Sequence, residues 1–453
     1  MLGIAILMII AILLALFVSL SNRQKTTRTI RVRQDFSTIQ EAINDANFGD
    51  MIRVSAGTYF EHVIVNKTVA LVGENSSNTI IDGNNTGTVV QILADNVIIS
   101  GFRLQNSGYG WTREGVYVYA ANNVKISSNT FVNACHDIKL NYSQNSEVLG
   151  NTINGTMYGI RLMNSINCTA IGNNVSNCVA GVHLENATDC IVRGNYFTQN
   201  DQGIRFYSPC ADNAIIANTV WNNNYDGMIA VMPPNATFFN NTVFHNNFVN
   251  NSEPFIIQSN GTVWDNGLEG NYWTSYEGTD ADQNGVGDTP YTFSSNEDSF
   301  PLTGNSSEFT IQTEAKEYTV TAISNSNMSE FSFESTSNGS RIDFDVYTEN
   351  ESLGFCRITI PADLMNYPFT VWVDNDAGHN ATLKTLQGTD DSKQILLYFT
   401  YPSGIHKITV TCGSTRSWLL EFLLPILLIS TAIIVFLAVI VLRKLGKKNV
   451  NKS

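Results

Sequence analysis

Through the middle of the chain, apolar and polar residues alternate in runs of four to six, broken by Asn and Gly rather than by helix-length stretches. The runs "GIRLM", "GVHLE" and "GIRFY" set Ile160, Leu162, Val182, Leu184, Ile204 and Phe206 on one face of short strands. The punctuation is periodic. Asn129, Asn151, Asn173, Asn195, Asn218 and Asn241 follow one another at 22, 22, 22, 23 and 23 residues. A short regular period means a solenoid, and short strands make it a parallel β-helix whose coils stack about 4.8 Å apart. The Asn column is then an internal ladder in which buried amides satisfy one another coil after coil.

The pattern changes at both ends. "DFSTIQEAINDA" carries Ile39, Ala42, Ile43 and Ala46 at helical spacing, with Ser37 and Gln40 as a capping box, and predicts a helix that covers the first coil. From Asn305 the repeat gives way to longer alternating strands, among them "SRIDFDVY", "FTVWVDN" and "HKITVTCG", which predict a β-sandwich over 304–414. Cys356 and Cys412 lie in that region and could bridge, while Cys168 and Cys190 share a slot on neighbouring coils as a disulfide or as two stacked thiols. Residues 1–21 are apolar and read as a signal peptide or an N-terminal anchor. Residues 418–442 are long enough to span a bilayer, and the basic tail 443–453 marks the cytoplasmic side, which leaves the bulk of the chain outside the cell membrane.

Composition supports that placement. Net charge is −14 and charged residues make up only 15% of the chain, which argues against nucleic acid as a partner. N-x-S/T sequons recur at Asn66, Asn75, Asn141, Asn154, Asn167 and Asn186 among others, as in a surface glycoprotein.

Against this acidic background one column is basic. Aligning the coils puts Tyr117, Lys139, Arg161, His183 and Arg205 on one outward track of about 15 to 20 Å, suited to an acidic polysaccharide. The insertion "NSGYGWTREG" adds Tyr109, Trp111 and Arg113, with rings that could stack on sugars. The competing reading is a solvated strand face. A second motif is "GTDADQNGVGDTPY". Asp280, Asp282, Asn284, the Val286 carbonyl and Asp288 have calcium-loop spacing around Gly285, but Tyr291 stands where the closing Glu belongs. We expect a structural Ca2+ in a C-terminal cap, closed by Glu297 or Asp298; a metal-free polar turn is the alternative. Catalysis is less well supported. Asp137, Glu185, Asp201 and Asp226 are near in sequence, yet nothing forces two of them across a bond, as a hydrolase requires. The six scattered histidines form no soft-metal cluster, so copper handling is the least expected role.

The run "STIQEAINDANFGDMIRVSAGTYFEHVIVNKTVALVGE" resembles the entry to pectin-lyase-like right-handed β-helices, and is similar to the NosD-like repeat proteins of archaeal cell surfaces. "GNYWTSYEGTDADQNGVGDTPYTF" together with "DSFPL" is similar to the segment that ends the helix in that group. The likeness spans about residues 30–303 and implies an all-β chain: a right-handed parallel β-helix, then the sandwich stalk and the membrane helix. For activity it implies little. The group's namesake assists copper-site assembly, and others in the superfamily cleave, de-esterify or bind acidic polysaccharides. The expected role is therefore a membrane-anchored surface protein that binds acidic glycan or serves in the envelope. A polysaccharide lyase or hydrolase, and a structural or adhesive protein, are the alternatives.

Overall fold

The structure is a computed structural model that describes residues 27–110, 113–207, 209–231, 238–256, 261–294, 296–336, 339–349, 353–366, 368–374, 376–377, 382–387 and 393–413. The apolar segments 1–21 and 418–442, the tail 443–453 and Trp111 lie outside the described residues. Among the described residues no helix is long and apolar enough to cross a membrane. The fold is an all-β parallel solenoid of the right-handed type, about ten turns long, with further β-sheets after it.

Two compact units are distinguished. The first comprises described residues within Met1–Ala214, Val220–Asn241 and Asn251–Gly261. Each coil contributes a strand to three parallel sheets in turn. Lys125–Ser127, Thr130–Ala134 and His136–Asn141 make one coil, and Glu147–Leu149, Thr152–Asn154 and Tyr158–Met163 make the next. Register is in phase: Ile126 pairs with Val148, Phe131 with Ile153, and Ile138 with Ile160. These side chains and their successors Val182, Leu184, Ile204 and Phe206 are fully buried, so period-two alternation correctly reports which face is inside. On the third sheet the residue before each inward pair also turns inward. It is Gly159, Gly181 and Gly203 on three coils, where a Cβ would come within 2.4 to 2.6 Å of neighbouring atoms. The first coils are covered by the helix Ile39–Asp45, which buries Ile39, Ala42 and Ile43. Its cap differs from expectation. Thr38, not Ser37, accepts from the Glu41 amide, and Glu41, not Gln40, answers back to the Thr38 amide. The box sits one residue later because the first helical apolar residue, Ile39, must face the coil.

The Asn column is a ladder, as its periodicity predicts. Asn129, Asn151 and Asn173 each donate backbone N–H and side-chain amide to the Oδ1 of the next Asn, at 2.9 to 3.2 Å. There are also further ladders at other corners. Asn200 donates to Asn223, and Asn223 to Asn251. Asn213 donates to Asn241, so Asn241 does not continue the column through Asn195. The spacing in that later ladder is 28 residues, not 23. A coil there is lengthened, and an Asn from the neighbouring corner coincides with the expected interval.

The second unit comprises described residues within Ile215–Thr219, Thr242–Asn250 and Thr262–Ser453. Within it Asn218, the next member of the expected column, donates to Asn246 and Asn246 to Asn271, and the run ends on a carboxylate. Asp298 Oδ2 accepts from the Asn271 backbone at 2.8 Å and from Trp273 Nε1 at 2.8 Å. Phe248, Trp264, Trp273 and Phe293 pack around that terminus. Two five-stranded antiparallel sheets follow between Asn305 and Gly413. They share one core, in which Val320, Ile358 and Leu397 of one sheet meet Ile342, Phe344 and Val410 of the other. Among the described residues all seven cysteines are buried free thiols, including Cys356 and Cys412 of that core and the stacked pair Cys168 and Cys190. The bridge between Cys356 and Cys412 is thus absent, and both behave as small apolar core residues.

One charged cluster in this unit is invisible in the sequence. Glu269 Oε2 lies 2.6 Å from His245 Nε2, and Glu269 Oε1 accepts from Arg357, whose side chain is only 2% exposed. Arg357 also donates to Thr359 Oγ1 at 3.1 Å. The three come from positions 245, 269 and 357, with no shared spacing to announce them.

Candidate functional site

The third sheet of the first unit places the basic column as the alignment expects. Tyr117 pairs in register with Lys139, Lys139 with Arg161, Arg161 with His183, and His183 with Arg205. A second column runs beside it: Glu114, His136, Tyr158, Ala180 and Gln202. A third holds Tyr119, Asn141, Met163, Glu185 and Tyr207. All three repeat at the coil interval, so the flanking columns were readable from the same alignment.

The flanks change the electrostatics. Lys139 Nζ lies 3.3 Å from Glu114, whose side chain is 2% exposed, and Glu114 also accepts from Thr88 at 2.8 Å. Arg161 donates to Glu185, and His183 Nε2 is 3.5 Å from the same carboxylate. Arg205 donates to the neutral Gln202 at 3.1 Å. The track is therefore not an open cationic strip. Stacked like charges repel, and the fold relieves this by setting a carboxylate beside each of the first two cations. Burial lowers the His136 pKa to about 4, with Arg161, Lys139 and His183 adding to the effect. Burial likewise lowers the His183 pKa, so both rings are neutral near pH 7. Glu185 is held down at about 2 by its hydrogen bond to His183 and, against the cost of burial, by Arg161.

Aromatic rings brace and edge this face. His136 stacks on Tyr158 at 5.3 Å, Tyr158 meets His183 at 4.6 Å, and Lys139 lies over Tyr117 at 4.8 Å. Tyr119, Tyr142 and Tyr207 are exposed along the edge, with Tyr119 and Tyr142 edge to face at 6.1 Å. Tyr109 and Arg113 precede the strand Glu114–Tyr119 of this sheet, and the Arg113 carbonyl accepts from the His136 amide at 3.4 Å. Tyr109 stands almost wholly in solvent and lines a separate cavity of about 490 Å3 with Asn133, Thr156 and Met157. Arg113 donates to the Asn85 carbonyl at 3.3 Å. Asp137 takes the inward slot that is glycine at Gly159, Gly181, Gly203 and Gly227 on the later coils, and burial drives its carboxyl well above the usual range. Glu185 is held ionised and cannot serve as a general acid near neutrality.

The loop at 280–288 folds on its own side chains. Asp280 accepts from the amides of Asn284 at 2.9 Å and Gly285 at 2.8 Å, and Asn284 Oδ1 accepts from Val286 at 2.7 Å. Asp288 accepts from Ala281 and Thr279, and Asn284 donates to Asp282. Gly285 has φ +80°, the left-handed turn that favours glycine. Val286 packs with Leu302 and Ile323. Asp298 is not a closing ligand, since it is buried at the ladder terminus, and Glu297 accepts from Ser299. Among the described residues no three His, Cys, Asp or Glu side chains are grouped to hold a metal.

Against known proteins, a family model described as "Periplasmic copper-binding protein (NosD)" matches residues 72–278. This stretch is a NosD-like parallel β-helix. A "Cell surface glycoprotein" of Methanothermus fervidus is 31% identical over 109 residues, 24% of this chain and 17% of the relative, so the chain matches about a sixth of that protein's length. Among solved structures, the Dettilon tailspike protein is 11% identical with a TM-score of 0.31, covering 80% of this chain and 87% of its own. A family 28 exopolygalacturonase of Yersinia enterocolitica is 14% identical with a TM-score of 0.34, covering 52% and 68%.

Proposed function

We propose that this NosD-like chain is a cell-surface protein whose third solenoid sheet binds a glycan, with acidic residues of that glycan accommodated at Arg205. One observation carries the reading: exposed Tyr119, Tyr142 and Tyr207 edge an in-register face on which Lys139 and Arg161 are already held by ion pairs. Tyrosines supply rigid amphipathic area for sugar faces, and prepaired charges cost little to organise on binding. Surface display is supported by the relative's name and by the apolar segment 418–442, proposed as the membrane anchor.

Retention of the full chain on immobilised polygalacturonate is the test. Tyr119→Ala with Tyr142→Ala is expected to weaken binding about 10-fold or more, a loss of about 1.4 kcal/mol or beyond. Because Lys139 and Arg161 are already paired, salt should change affinity at this face only weakly. Unaltered retention in the double variant removes the proposal. Absorbance by an unsaturated product would instead make the chain a lyase.

Calcium is the cation proposed for the loop. Asp280, Asp282, Asn284, the Val286 carbonyl and Asp288 would hold it and stiffen the cap through Val286 and Leu302. Chelation should then lower the thermal midpoint by a few degrees, and Asp280→Ala with Asp282→Ala should abolish that response. A wild-type midpoint indifferent to chelator means the side chains close the turn without a metal.

A further inference from the structure

The sandwich is expected to be a passive stalk, yet its second sheet carries a depression with the makings of a binding site. Three adjacent strands form it: Gly339–Thr348, Gly404–Gly413 and Phe369–Val373. Register brings Arg341 opposite Thr411, and sets Thr409 between Asp343 and Trp372. Arg341, Asp343, Trp372, Lys407, Thr409 and Thr411 line an open cavity of about 350 Å3.

Its chemistry is specific. Asp343 is buried and accepts from Arg341 Nε at 2.5 Å and from Thr409 Oγ1 at 2.6 Å. Asp343 is thereby neutralised, and the guanidinium is aimed by its Nε. Among the described residues the two terminal nitrogens of Arg341 make no hydrogen bond, and the Lys407 ammonium makes no ion pair although Asp345 lies across from it in register. Trp372 is half-buried, its Nε1 donating to Thr411 Oγ1 at 3.3 Å. A positioned guanidinium fork, a second cation and an indole within one sheet face fit a ligand with a carboxylate and a flat apolar side.

We propose that this face of the sandwich is a second saccharide site, selective for an acidic sugar: Trp372 stacks on the ring, and Arg341 with Lys407 receives the carboxylate. It shares no residue with the solenoid face and stands or falls without it. Here Lys407 makes no ion pair among the described residues, and Arg341, paired with Asp343 through Nε, keeps its terminal nitrogens for the ligand, so binding at this site should weaken as salt is raised.

The test is titration of the full chain with galacturonate oligomers, with maltoheptaose as the neutral control, at two salt concentrations. Arg341→Gln with Lys407→Gln should abolish the salt-sensitive part of binding, a loss of at least 10-fold at that site. Trp372→Ala should do the same for the acidic oligomer, while Trp372→Phe retains part of the affinity. Tyr119→Ala with Tyr142→Ala should leave this component unchanged. Folding of each variant is checked by its thermal midpoint. The proposal fails if Arg341→Gln with Lys407→Gln folds and binds as wild type does. It fails equally if the solenoid double variant alone removes all acidic-sugar binding.

Discussion

Replacing Glu269 by Ala is expected to destabilise the second unit by about 3–5 kcal/mol, because it leaves Arg357 as a buried, uncompensated charge. Arg357 is 2% exposed, and its remaining side-chain partner is the hydroxyl of Thr359. Its stem also lies against Gly285, so it cannot leave for water without disturbing the 280–288 loop. Glu269→Leu combined with Arg357→Leu should cost much less than the two single changes summed, since an apolar pair leaves no orphan charge. Denaturant unfolding followed by Trp fluorescence measures both. A loss below about 1 kcal/mol for Glu269→Ala would mean that Arg357 finds water, since an exposed pair contributes no more than that. The acid side is also predicted. Burial opposes ionisation of Glu269, but the His245 hydrogen bond and Arg357 outweigh it and hold the pKa at about 2. Unfolded, a Glu titrates near about 4.3. The folded value is depressed, so this contribution is fully present above about pH 4.3 and is lost as pH falls toward 2. The wild type should lose stability across that window, and Glu269→Ala should lose correspondingly less.

The second large effect belongs to the ladder of the first unit. Asn173→Ala removes the acceptor for the Asn151 backbone and side-chain amides, both at 2.9 to 3.0 Å, and the donor to Val148 O and Asn195 Oδ1. All lie inside the coil, where water cannot substitute. Each orphaned buried group costs about 1–3 kcal/mol, so a total of about 3–5 kcal/mol is expected. Asn167→Ala is the control. Its amide donates to Asn145 at 2.7 Å, but in solvent, and its loss should stay within about 0.5 kcal/mol. The same cost for both would make the interior ladder energetically idle. A stacked array couples each coil to its neighbours, so the Asn173 variant should lower the midpoint of the solenoid and not merely fray one coil.

Much of this architecture was legible because a solenoid is written locally. A strand of period two, a turn and an Asn recur at 22 residues, and parallel stacking converts that interval directly into contact. Hence the inward residues, the outward column from Tyr117 to Arg205 and the interior ladder all follow from alignment. The same logic failed at Asn241, where an insertion moved the period to 28 and a neighbouring corner supplied a look-alike Asn. It failed at Ser37 by a single residue, since the apolar pattern defines a helix face more sharply than its first turn.

The sign and placement of charge were not local. That Lys139 is answered by Glu114, and Arg161 by Glu185, depends on which side chains lean across the sheet between coils. Tyr109 and Arg113 were expected beside the basic track; Arg113 runs directly into the strand Glu114–Tyr119 but turns its guanidinium to the Asn85 carbonyl, and Tyr109 lines the cavity at the turn before that sheet. Asp298 looked like a metal ligand from its acidity, and only the end of the Asn column makes it a buried acceptor. The cluster of His245, Glu269 and Arg357 joins residues up to 112 positions apart, and the shelf of Arg341, Trp372 and Lys407 assembles from three strands of one antiparallel sheet. The sequence by itself therefore determined the repeat, its inside and its outside, because those rest on nearest-neighbour periodicity. Tertiary structure alone decided which charges are neutralised and which stay available, because that depends on long side chains meeting across coils and strands whose separation no period encodes.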